Sequence, residues 1–140
     1  MPLTKLEECL QKNKVNHSHA REAIYKVFSE NINEFISVSK LGKKLLDSYP
    51  KKISVNTVYR HLNLFVACNI LLLVQDDNKK AYYILVDKES PIFEICPTCQ
   101  DIGMVNISES QRKTLIDILK PKEHKRAPFI VLHKACEKCL

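Results

Sequence analysis

Three observations predict an α+β fold in two parts. Three amphipathic helical patterns are followed by two β-rich runs around a polar turn, the element order of a winged helix-turn-helix. A second stretch mixes short β-rich runs with one helical pattern. That stretch carries two paired-cysteine motifs, Cys96-Pro97-Thr98-Cys99 and Cys136-Glu137-Lys138-Cys139. The expected layout is a winged-helix domain over 1–86, a hinge over 87–91 and a small α+β domain over 92–140.

The elements follow in order. Thr4 and Glu7 form a capping-box pattern for a short opening helix with Leu6, Cys9 and Leu10 inward. Ser18 is placed to cap the next helix, whose apolar face is Ala20, Ala23, Ile24, Val27 and Phe28, with Asn31 as its stop. Ser37 opens a third pattern with Val38, Leu41, Leu45, Leu46 and Tyr49 inward, ended by Pro50. Ser54 caps a helix to Ala67 with the stripe Val55, Val58, Leu62 and Phe65. Ile70–Val74 and Ala81–Val86 flank Asp76-Asp77-Asn78-Lys79-Lys80, a hairpin pattern. Beyond the hinge come a strand at Ile92–Ile95, another near Gly103–Ile107, and a capping box of Ser108 with Gln111. The helix it opens carries Leu115, Ile116, Ile118 and Leu119 before Pro121, and a last strand spans Phe129–His133.

A chain of 140 residues holds one ordinary domain or two small ones. Each half would bury too little apolar surface to be robust alone, so a cross-link or a second subunit is expected. No apolar run approaches bilayer length and the start lacks a signal-peptide pattern, which predicts a soluble cytoplasmic protein. The net charge of +6 is concentrated early. Up to Arg60 there are 11 basic against 6 acidic residues, whereas Pro91–Leu140 holds 8 against 6. That gradient suits a polyanion such as nucleic acid, though a solvated basic surface has the same signature.

Each Cys-x2-Cys pair offers two sulfurs from one tight turn, and the pairs are 36 residues apart. Brought together by a sheet, they make a closed site of four sulfurs, which suits one structural zinc per chain. Disulfides are disfavoured by the expected compartment, and a thioredoxin-type dithiol would occur once, at a strand-to-helix junction. Four thiolates also permit an iron–sulfur cluster. Cys68 stands apart and is expected to pack as a small hydrophobe.

Recognition chemistry is expected on the helix after Ser54. Asn56, Arg60 and Asn63 recur at i, i+4 and i+7 opposite the apolar stripe, with Tyr59 beside them. Arginine reads guanine bidentately, asparagine reads adenine, and tyrosine meets a thymine methyl or a phosphate. Asn56 and Thr57 lie at the helix N-terminus, the end that enters the major groove in helix-turn-helix proteins. Lys51, Lys52, Lys79 and Lys80 are placed for phosphates. A plain amphipathic surface helix would show the same polar face.

The segment Ile53-Ser54-Val55-Asn56-Thr57-Val58-Tyr59-Arg60-His61-Leu62 resembles the IS-x-x-TVYR-x-L signature of the ferric uptake regulator family. Arg21 and the two cysteine pairs occur in that family's order and nearly its spacing, and the likeness covers almost the whole chain. The resemblance implies a winged-helix domain, a hinge and an α+β dimerisation domain. It further implies a homodimer on palindromic, usually AT-rich, double-stranded operators, most often a repressor. Tyr59 and Arg60 map to the family's DNA interface, and Cys96, Cys99, Cys136 and Cys139 to its structural zinc.

Departures accompany the likeness. Ser90-Pro91-Ile92-Phe93 replaces the family's His-rich run, and Met104, Phe35 and Pro128 align with a Glu and two His of its sensing sites. None of these side chains binds iron, manganese or zinc well. A degenerate or absent regulatory metal site is therefore expected. His17, His19, His61, His124 and His133 are read as structural or exposed rather than as replacement ligands. Two other readings remain open: a zinc-stabilised assembly module with vestigial DNA binding, and a regulator switched by thiol oxidation. An enzyme is not expected. There is no open metal site, no phosphate-binding glycine loop (two glycines in all) and no nucleophile–base pair.

Overall fold

A computed structural model of the chain describes residues 18–87, 91–118 and 129–140. The expected opening helix with Cys9 lies outside the described residues, as do His17, Leu119 and the loop carrying His124. Two compact units result: the described residues up to Val74 together with Ala81–Val86, and Gln75–Lys80 together with Asp87–Leu140. No helix among the described residues is long and apolar enough to cross a membrane.

The first unit is built on three capped helices, α1 (His19–Glu30), α2 (Val38–Ser48) and α3 (Val55–Ala67). The side chains of Ser18, Ser37 and Ser54 each accept a hydrogen bond from the backbone N–H three residues on. Those bonds satisfy N–H groups that the first helical turn leaves without partners. Asn31 ends α1 by donating its side-chain N–H to the Val27 carbonyl, 2.7 Å away. Asn69, at φ 60°, turns the chain out of α3 in the left-handed region that asparagine tolerates.

The hairpin follows as β1 (Leu72–Gln75) and β2 (Ala81–Ile84). Its turn is closed by Lys79 N–H to the Asp76 carbonyl at 2.9 Å, and the buried Asp76 carboxylate accepts from Asn78 and Lys80 N–H. Ile36, just before α2, exchanges two 2.9 Å backbone hydrogen bonds with Tyr83 of β2. This bridge ties the helices to the wing. The core gathers Ile24, Phe28, Ile36, Leu41, Leu62 and Phe65, all essentially buried.

Three expectations need correction here. Leu46, expected inward, is 78% exposed, and Val55 is 62% exposed. Val55 is the first helical residue of α3, before the turn that packs against the core. Cys68 packs half-buried against that core as expected, but it is disulfide-bonded rather than a free thiol.

The second unit holds a three-stranded sheet in the order β4-β3-β5, with β3 at Ile92–Ile95, β4 at Ile102–Met104 and β5 at Ile130–His133. β3 pairs antiparallel with β4 and parallel with β5. As the central strand it buries Ile92, Phe93 and Ile95, and Phe93 meets Phe129 edge-on. β4 begins one residue earlier than expected and stops at Met104. α4 (Glu109–Ile118) opens with the expected capping box: Ser108 N–H donates to Gln111 Oε1 and Gln111 N–H to Ser108 Oγ, each 3.2 Å.

Candidate nucleic-acid interface and thiolate centre

On α3 the side chains divide sharply by face. Val58, His61, Leu62 and Phe65 are buried, while Asn56, Tyr59, Arg60 and Asn63 are exposed. Thr57 stands apart from the exposed set. It is half-buried, its N–H donates to Ser54 Oγ, and its hydroxyl accepts from Ser54 Oγ at 2.8 Å. Thr57 therefore serves as part of the cap. Lys51 and Lys52 are exposed just before that cap, and Lys79 and Lys80 are exposed on the hairpin turn.

Arg21 lies elsewhere: on α1 it is only 6% exposed and does not share the outward surface. Its proton affinity is lowered first by burial and then by the charge of Arg60. His61 is lowered for the same reasons, burial first, then Arg21 and Arg60. Positive charge thus accumulates behind and on the exposed face of α3. Such a field attracts a polyanion. His61 sits on the buried stripe of α3, so of the structural and exposed readings the structural one holds.

The thiolate centre follows from strand pairing. Ile95 registers with His133 across the parallel pair, so both strands end on the same side of the sheet. Cys96 begins one turn directly after β3, and Cys136 begins the other three residues after β5. Gln100 N–H closes the first turn on the Cys96 carbonyl at 2.8 Å, and Cys139 N–H closes the second on the Cys136 carbonyl at 3.0 Å.

The four sulfurs all lie within 4.8 Å of one another, and Cys99 and Cys136 Sγ are 3.6 Å apart. A tetrahedron of thiolates at Zn–S distances of about 2.3 Å has edges of about 3.8 Å. The donor set therefore fits a tetrahedral ion of zinc's preferences. Backbone N–H groups of Cys99 and Cys136 lower the Cys96 thiol to about 6. Hydrogen bonding from the Cys136 and Cys96 sulfurs raises Cys139 to about 12. Four crowded thiols cannot all ionise without a cation, and a dication among them removes that conflict.

The fold and site define a class: a winged-helix unit followed by an α+β unit with a four-thiolate centre. The family model for the ferric uptake regulator family matches residues 12–125. No curated protein sequence matches the chain. The fold is similar to the Helicobacter pylori ferric uptake regulator, described as having three functional metal binding sites, with TM-score 0.69 and 20% identity over 99% of this chain and 91% of that one. It is similar to the Francisella tularensis regulator solved with iron (TM-score 0.64, 23% identity, 89% and 93% covered). It also resembles the Pseudomonas aeruginosa regulator solved with manganese (0.67, 16%, 89% and 94%). At these identities the structural likeness is one of fold. The chain belongs to the ferric uptake regulator family, whose members are DNA-binding transcription regulators and not enzymes.

Proposed function

We propose that this protein is a sequence-specific DNA-binding repressor that works as a cytoplasmic homodimer with one structural zinc per chain. The observation that carries the reading is the face of α3. Asn56, Tyr59, Arg60 and Asn63 point outward together, opposite a buried stripe, with the buried Arg21 close enough to Arg60 for its charge to be felt. Lys51, Lys52, Lys79 and Lys80 supply phosphate contacts, and Thr57 fixes the helix start through its bonds with Ser54. Arg21 acts from behind, through its charge beside Arg60. Two α3 helices related by a two-fold axis would read the halves of a palindromic, AT-rich operator.

Zinc held by Cys96, Cys99, Cys136 and Cys139 closes the second unit. The ion supplies cross-linking energy to a small domain and performs no chemistry. Dimerisation is supported by the apolar exposure of Leu115 and Ile118 on α4 and Leu132 on β5. The regulatory metal site is degenerate. Phe35 and Met104 stand where the family has ligands, and Met104 is engaged in β4 opposite Phe93.

The decisive experiment is selection of bound duplexes from random DNA, with and without chelator. Wild-type protein should enrich a palindrome. Arg60→Ala should lose about 1–3 kcal/mol and relax preference at one base position. Binding that is indifferent to sequence, or an unchanged Arg60→Ala profile, rejects the reading in favour of an assembly module.

A further inference from the structure

The hairpin turn Gln75–Lys80 groups with the second unit, although the strands it joins belong to the first. Within that unit the side chains of Gln100 and His133 make the connection. The Gln100 backbone is part of the first thiolate turn, with its N–H on the Cys96 carbonyl. Its φ of 66° lies in the left-handed region, a conformation the turn imposes at a cost.

Its carboxamide then reaches in two directions. Nε2 donates to the Pro97 carbonyl at 3.0 Å, inside the thiolate turn. Oε1 accepts the backbone N–H of Asp77 at 2.8 Å, and Nε2 lies 3.4 Å from Asp77 Oδ2. The other carboxylate oxygen of Asp77 is 3.2 Å from His133 Nδ1, at the end of β5. The hairpin turn is therefore held by the ends of both strands that deliver the cysteines.

We propose that Gln100 is a positioning residue that couples metal loading of the thiolate centre to order in the wing turn carrying Lys79 and Lys80. This rests on the DNA-reading function and the zinc site proposed above. A dication drawn in by Cys96 and Cys99 fixes the turn between them. The residue after Cys99 is then held where its carboxamide can accept the Asp77 N–H. With the metal gone, the turn loses its cross-link and Gln100 loses its fixed backbone. The Asp77 amide is released with it, and the lysines that follow are then positioned only by the bonds of their own turn to Asp76. Loss of wing order then lowers DNA affinity without any change in the reading helix.

The direct readout is hydrogen exchange of the Asp77 amide in full-length zinc-loaded protein. The Tyr83 amide, bonded to the Ile36 carbonyl, is the internal reference. Gln100→Ala and Gln100→Asn keep a Cβ in the same turn but cannot span to Asp77. Each should speed Asp77 exchange about tenfold or more, with Tyr83 unchanged and one zinc retained per chain. Chelation of the wild type should do the same at Asp77.

On DNA, the Gln100 variants should reduce the dependence of log affinity on log salt by about 1 for each lysine withdrawn. Asp77 protection that survives chelation, or survives Gln100→Ala, overturns the coupling. An unchanged salt slope overturns the role in positioning the lysines. A wild-type protein that ignores every duplex would sink the DNA-reading proposal, whereas the coupling itself is decided by exchange alone.

Discussion

Arg21 and His61 show how a polar residue can occupy a core position. Arg21, Ile24, Tyr25 and Phe28 follow i, i+3, i+4, i+7, and so do Val58, His61, Leu62 and Phe65. Each polar residue sits on its helix's buried stripe, so the spacing already marked both for burial. What spacing does not carry is their mutual proximity, across two helices, and its electrical consequence. Burial and two arginine neighbours hold the His61 imidazole neutral. The unfolded chain takes that proton near the ordinary value of 6.5, while the folded chain resists it. The stabilising contribution is therefore complete above that value and declines as pH falls below it, by up to about 1.4 kcal/mol per pH unit. The decline stops at the lowered folded value. Urea unfolding at successive pH values should show this slope in the wild type and a flatter one in His61→Gln. Equal slopes in the two proteins would remove His61 as the cause.

At the level of elements, the caps were the most legible feature. Ser18, Ser37, Ser54 and Ser108 all cap helices, because an N-cap needs only a short oxygen-bearing side chain and a following apolar period. Ser54 matters most for function, since it sets where α3 begins and hence which side chains face outward. Ser54→Ala should cost about 1 kcal/mol in chemical denaturation, with weaker DNA binding but unaltered base preference. A changed preference would mean that Ser54 itself takes part in reading. Deeper in the same helix, Phe65 is fully buried and meets the Tyr25 ring at 5.9 Å. Phe65→Ala should cost about 3–5 kcal/mol by the same assay. Less legible were strand limits and the Ile36–Tyr83 bridge. A single residue paired across the fold leaves no periodic trace.

For the whole molecule, the thiolate centre is the feature on which stability turns. A second unit with a three-stranded sheet and one described helix has few buried side chains among its described residues, so a cross-linking metal should dominate its melting. Chelation, or Cys96→Ser, should lower the melting transition of that unit and leave the helical unit's transition in place. Calorimetry beside metal analysis would decide it. Four reactive thiols with an unchanged transition would refute a structural metal.

Sequence alone determined the four described helices and their caps, the outward set on α3, the family signature and the cysteine pairs, because each is written in spacing over fewer than about twenty residues. Tertiary structure alone decided that β3 and β5 run parallel, so that cysteines far apart in the chain share one end of a sheet. It also decided that Arg21 on α1 lies near enough to His61 and Arg60 on α3 to act on them by charge, and that Gln100 grips Asp77. Those contacts join residues whose separation has no period, and only the folded chain brings them within reach of one another.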